Sequence, residues 1–357
     1  MGRGRRVVAV VIAVVVLLGV VVVAHRIWVE KHRTDLSRAL NVVPSATKRL
    51  AFTDWRSVRS AVGAHLGMDP DPGAVATMVG KAYDADLSSA SSIGDAAAAL
   101  QRYFGFSPGN ADWEAYGQSD QGAVMVLRMP DGFDFGVVTD HLDRLGFTKP
   151  GSRTGVWKGG VDLVAAIDPT ITPELQYVAV LADQHLIVTS DQSSYAASTV
   201  KVVQGKAKSL GDLKSARQVV APLHEPAAAM MWTRDFACND LAMSSAGQDD
   251  QDQAAALLEK AGKVTPLDGL VMSMAGDRSL SISELFENSS EAKENLRARA
   301  RLIVGDAPGR GGAFSDDMTL RSSRTDGPTV QLRLTPTART GYLLSAYDSG
   351  PVLFATC

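Results

Sequence analysis

Hydrophobic positions fall into three regimes along the chain. From Val7 to Ala24 they are continuous, eighteen residues without a charge. From 25 to 43 they are sparse and mixed with charge. Beyond Pro44 they recur with the periods of folded secondary structure. Eighteen residues at the helical rise span about 27 Å, close to the roughly 30 Å hydrocarbon core of a bilayer. The run is therefore expected to be a transmembrane helix. A cleaved signal peptide is the competing reading, but its apolar region is ordinarily about 7–15 residues long, and His25 and Arg26 follow this run at once. Arg3, Arg5 and Arg6 precede the run, which favours residues 1–6 as a cytoplasmic tail with the bulk of the chain outside. Residues 25–43, with His32, Leu36 and Leu40 at helical spacing before Pro44, read as a helical stalk or a solvated linker.

The folded part opens with alternation at Leu50 and Phe52, a strand, and then Asp54 as N-cap of a helix over Trp55 to Leu66. Helices are expected near Ala74 to Tyr83 and Asp95 to Phe104. A strand over Ala123 to Met129 turns at Asp131-Gly132 into an amphipathic helix, Phe135 to Leu145, that ends at Gly146. Gly155 to Lys158 and Val161 to Ile167 read as a hairpin about Gly159-Gly160. Tyr177 to Leu181 and His185 to Thr189 read as another, closed by a helix over Ser194 to Val203.

A similar order then restarts. Ala227 to Thr233 reads as a strand, Arg234 to Leu241 begins a helix, and Gln253 to Ala261 is a second. Strands follow at Leu267 to Ala275 and Leu280 to Phe286. A long helix covers Ser290 to Val304, and a final hairpin turns at Asp326-Gly327-Pro328. The pairs Phe52-Thr53 and Trp232-Thr233 close the opening strand of each half. The expected fold class is α+β, with residues 44–220 and 221–357 as two similar halves related by internal duplication.

Composition narrows the function. Hydrophobic residues make up 45% and charged residues 21%, a globular balance. A net charge of −3 gives no electrostatic footprint for nucleic acid. Cys238 and Cys357 are the only cysteines, too few for a disulfide-built scaffold and too far from any His pair to read as a zinc site. In an oxidising compartment the two should pair, tying the last residue and an edge strand at Val352 to Phe354 to the second half.

Candidate chemistry is thin. Ser-x-x-Lys occurs at Ser45/Lys48, Ser198/Lys201 and Ser290/Lys293, without the Lys-Thr-Gly that completes an acyl-enzyme site. The loop from Gly305 to Gly312 is glycine-rich but follows a helix where a phosphate loop precedes one. Asp249, Asp250 and Asp252 lack the Gly and Glu of a calcium loop. Phe104, Phe106, Trp113 and Tyr116 form the densest aromatic cluster, either a loop packed on the core or a binding lip. No catalytic, cofactor-binding or metal-ligating residue is assigned.

Phe52-Thr-Asp-Trp55, Pro266-Leu-Asp-Gly-Leu270, the Gly305 to Gly312 loop and Gly350-Pro-Val-Leu-Phe354 resemble stretches of uncharacterised single-pass envelope proteins from high-GC Gram-positive bacteria. That resemblance implies a surface-facing setting and no particular activity. The expected function is a membrane-anchored extracytoplasmic module, non-catalytic, binding an envelope protein, glycan or lipid and no nucleic acid. An exported hydrolase whose site is assembled only in three dimensions is the alternative.

Overall fold

A computed structural model describes residues 34–233, 236–337 and 343–357. The run from Val7 to Ala24, its flanking arginines and the first part of the expected stalk lie outside the described residues. Among the described residues no helix is long and apolar enough to cross a membrane.

The protein is a mixed α+β structure built on one antiparallel sheet of eleven strands. In chain order these are β1 (Arg49–Thr53), β2 (Trp113–Ser119), β3 (Gly122–Arg128), β4 (Val156–Lys158), β5 (Tyr177–Leu181), β6 (Leu186–Ser190), β7 (Ala228–Thr233), β8 (Gly269–Met274), β9 (Leu280–Leu285), β10 (Met318–Asp326) and β11 (Thr329–Pro336). Across the sheet they run β10-β11-β9-β8-β7-β1-β2-β3-β6-β5-β4. The pairing of β1 with β7 joins residues 44–220 to 221–357 without a break in the ladder. From that seam each half runs outward through a meander of three strands and then a hairpin entered by its second strand. β4 extends the first half alone.

Helices cover the two faces unequally. The inner face carries α2 (Trp55–Ala61), α3 (Pro72–Asp84), α4 (Ala97–Phe104), α5 (Phe135–Leu145), α6 (Val161–Ile167), α9 (Gln248–Ala261) and α10 (Ser289–Leu302) over a core shared by both halves. Among the described residues the outer face carries only α1 (Asp35–Ala39), α7 (Ser193–Val203) and α8 (Lys214–Val220). Local chemistry starts these helices where expected. Asp54 accepts from the Ser57 amide at 3.0 Å, and Asp134 accepts from the Gly136 amide at 2.8 Å. Gly146, at φ +91°, ends α5 in a conformation that costs glycine little.

Several expectations change. The segment over 34–43 is part of the folded body, neither stalk nor linker: Leu36, Leu40 and Val43 are buried against the outer face, and Thr34 caps α1 through the Ser37 amide. Val161 to Ile167 is helix α6, not a hairpin arm. Gly160 at φ +80° redirects the chain, and a helix lets Val164 enter the core with Leu163 and Ile167 packing against it. β2 replaces the expected loop, and its alternation is obscured because one buried position is Glu114. Val352 to Phe354 is no edge strand, since β10 already occupies that edge; it forms a buried turn beneath α10. The strand-closing aromatics also differ. Phe52 packs in the outer layer and Trp232 in the inner core, so their sequence likeness is not a likeness of position.

Cys238 and Cys357 are disulfide-bonded, with Cα atoms 5.5 Å apart. The bond closes the C-terminal segment onto the short turn that follows β7. Nearby, Phe314, Tyr347 and Phe354 pack edge to face with centroids 5.1–6.0 Å apart.

Candidate functional site

The outer face holds the feature of interest. In the first half, one row across the sheet reads Phe52, Ala115, Val126, Val188, Ala179 and Val156. Every position is apolar, and α1 and α7 seal it. In the second half, the row from Met231 reads Val271, Ser283, Gln331 and Arg324. The row from Ala229 reads Ser273, Ser281, Arg333 and Ser322. Apolar character ends at β7 in the Ala229 row and at β8 in the Met231 row. α8 reaches across β8 and β9, and among the described residues no helix lies over β10 and β11 on this side.

Between the loop after α8 and β11 runs a groove of about 370 Å³. Pro222, Leu223 and Pro226 form one wall, and the serines of β8 and β9 form the floor. Arg321 and Arg333 stand at the exposed far rim and His224 at the near one. No Asp or Glu lines it, although the chain carries a net charge of −3.

Its hydrogen-bonding capacity is one-sided. The Arg333 guanidinium has no protein partner among the described residues. Arg321 spends only Nε, on Thr335 Oγ1 at 3.1 Å. The Ser283 hydroxyl is buried and unpartnered, while Ser273 donates to the Ser281 carbonyl at 3.3 Å. The one strong acceptor nearby, Gln331 Oε1, is already filled by Arg324 at 3.0 and 2.8 Å. The arrangement offers donors and wants acceptors.

Two other clefts flank α1, of about 450 and 530 Å³, and both are lined by Asp35 and Arg56. Their charges answer one another: Arg56 pairs with Asp35 and lies 3.6 Å from Asp112, and Arg38 meets Asp35 at 2.8 Å. Burial pushes the Asp54 carboxyl up, against the lowering effect of its bonds to Ser57.

Two buried glutamates lie on the inner face. Glu114 accepts from Ser91 Oγ (2.7 Å), Ser92 N (2.8 Å), Ser92 Oγ (2.9 Å) and Trp55 Nε1 (3.1 Å). Burial still raises its pKa, opposed by those four bonds. Glu284 has no hydrogen bond, only Arg299 Nε at 3.8 Å, and burial pushes it up to about 7. Arg299 in turn donates to the carbonyls of Phe354 (2.8 Å) and Thr265 (2.7 Å). Neither glutamate lines the groove.

The motifs singled out in the sequence do not assemble. Lys48 pairs with Asp120 at 2.8 Å, and Ser290 bonds Glu294. Asp250 accepts from the Gly309 amide at 3.0 Å, tying the acidic helix start to the glycine-rich loop. Among the described residues no cluster of His, Cys, Asp and Glu could hold a metal. The aromatic cluster is split by the sheet, with Phe104 and Phe106 in the inner core and Trp113 against Phe52 in the outer layer. The sequence reading named none of the groove residues as a candidate for binding or chemistry. A signal was present: β9 and β11 alternate apolar and polar, whereas β3 is continuously apolar.

No protein-family model and no curated protein matches the chain. Among solved structures it is similar to TP0453 in two crystal forms. Form I gives a TM-score of 0.43 at 8% identity, covering 89% of this chain and 98% of that one. Form III gives 0.40 at 8% identity, covering 87% and 96%.

Proposed function

We propose that the protein is a membrane-anchored, extracytoplasmic, non-catalytic binding module whose ligand site is the outer-face groove of the second half. The observation that carries this reading is the donor-rich, acid-free lining, with the buried Ser283 hydroxyl left unpartnered at its floor. A buried polar group without a partner costs free energy unless something else satisfies it. The apolar run at Val7 to Ala24 and the arginines before it support the anchor and the orientation. The bonded cysteines fit an oxidising compartment. Shared strand order supports an internal duplication in which, among the described residues, the second half has no counterpart of α7 over its outer face.

Affinity isolation of the full chain from intact membranes, beside the Arg321→Ser/Arg333→Ser variant, tests the binding role. Both arginines are exposed, so the variant should fold as the native chain does. One class of molecule (lipid, glycan or protein) should accompany the native chain and be lost from the variant. Identical recovery from both would overturn the proposal. Location is tested by Lys81→Cys, on the exposed face of α3: it should react with a membrane-impermeant thiol reagent in whole cells.

A further inference from the structure

We infer that the groove binds the anionic phosphate headgroup of a phospholipid in the membrane that holds the chain; this rests on the anchored binding-module reading above. Three observations converge on it. First, the free groups are donors. Among the described residues Arg333 offers an unused guanidinium, Arg321 keeps its two terminal nitrogens, and Ser283 offers a hydroxyl. Guanidinium forks match the oxygens of a phosphate, and the absence of acids from the lining removes the repulsion such an anion would otherwise meet.

Second, the opposite wall is apolar. Pro222, Leu223 and Pro226 give the glycerol and upper acyl carbons of a lipid a dry surface beside the charged rim. A free inorganic anion has no use for that wall.

Third, the groove lies beside the point where the chain enters the body. Thr34 and Pro226 line the same cleft, and Pro226 also lines the groove, on the same sheet face. Residues 25–33 are nine in number, and at full extension nine residues reach about 30 Å. An anchor ending at Ala24 therefore keeps Thr34, at the edge of the cleft next to the groove, within about that distance of the bilayer surface.

The test places the full chain in nanodiscs of phosphatidylcholine alone and of phosphatidylcholine with phosphatidylglycerol. Arginine modification by a neutral dicarbonyl reagent is then followed residue by residue. Arg333 and Arg321 should react several-fold more slowly in the anionic discs, while Arg297, exposed on α10 in the opposite layer, should not change. Equal rates for Arg333 in the two discs would overturn the assignment. Equal slowing by glycerol 3-phosphate added to the chain in neutral detergent would overturn the lipid source in favour of a free phosphate. A chain that leaves both discs on gel filtration would overturn the anchored reading, whereas retention with unslowed arginines would overturn the headgroup assignment alone.

Discussion

The two ends of this sheet solve the same problem differently. Around β3, β5 and β6 both faces are buried, so Val126, Val188 and Ala179 are apolar and α7 completes a third layer. Around β9, β11 and β10 the outer face is largely polar: Ser283 and Gln331 are buried there, Ser281 is half-buried and Arg333 is exposed. Removing a covering helix removes the reason for apolar side chains beneath it. It also removes the contacts that would hold the end of the sheet. The second half compensates from the inner side, where Arg299 grips the Phe354 carbonyl and the disulfide fixes the last residue. The buried glutamates repeat the contrast, since Glu114 is fully bonded in the first half and Glu284 is not in the second.

The largest effect should come from the disulfide. Its two cysteines are 119 residues apart, so Cys238→Ala/Cys357→Ala should cost the unfolding free energy up to about 4–5 kcal/mol. Thermal melting with and without reductant measures this; an unchanged transition would mean the second half does not depend on its pinned end.

Next comes pH. Glu284 has a folded-state pKa of about 7, above its ordinary 4.5. Its protonated form is the one the fold favours, so its contribution is fully present below about pH 4.5 and is lost as pH rises through about 7. The loss is on the order of 3 kcal/mol across that window. Urea denaturation at a series of pH values should show the decline, and Glu284→Gln should remove most of it. Persistence of the full slope in that variant would assign it elsewhere.

Smaller still is the covered row. Val188→Ser should cost roughly 2–3 kcal/mol by leaving a cavity and burying a hydroxyl beneath α7. Ser281→Val on the open row should cost less than about 0.5 kcal/mol. Equal losses by chemical denaturation would erase the distinction between the two halves. The smallest effect expected is from Arg321→Ser/Arg333→Ser, within about 0.5 kcal/mol of native stability.

Much of the fold was legible in the sequence because its signals are local. Asp54 announced its helix, Gly146 ended another, and Asp326-Gly327 turned the last hairpin. The cysteine pairing followed from the expected compartment. What was missed depends on neighbours distant in sequence. Glu114 looks solvent-facing until Ser91, Ser92 and Trp55 surround it, which hid β2. Val161 to Ile167 alternates well enough for a strand, and only the core decides for a helix. The groove was least legible of all. It is defined by a helical layer absent among the described residues, and only the alternation through β9 and β11 hinted at an open side.

The central claim is that the open half of the outer face, and not the covered half, meets a ligand. A photoreactive amino acid placed at Arg333, or at exposed Ala197 on α7, tests it directly in intact cells. The account predicts a discrete adduct from position 333 and none above background from position 197. Equal adducts from both positions, or none from 333, would contradict it.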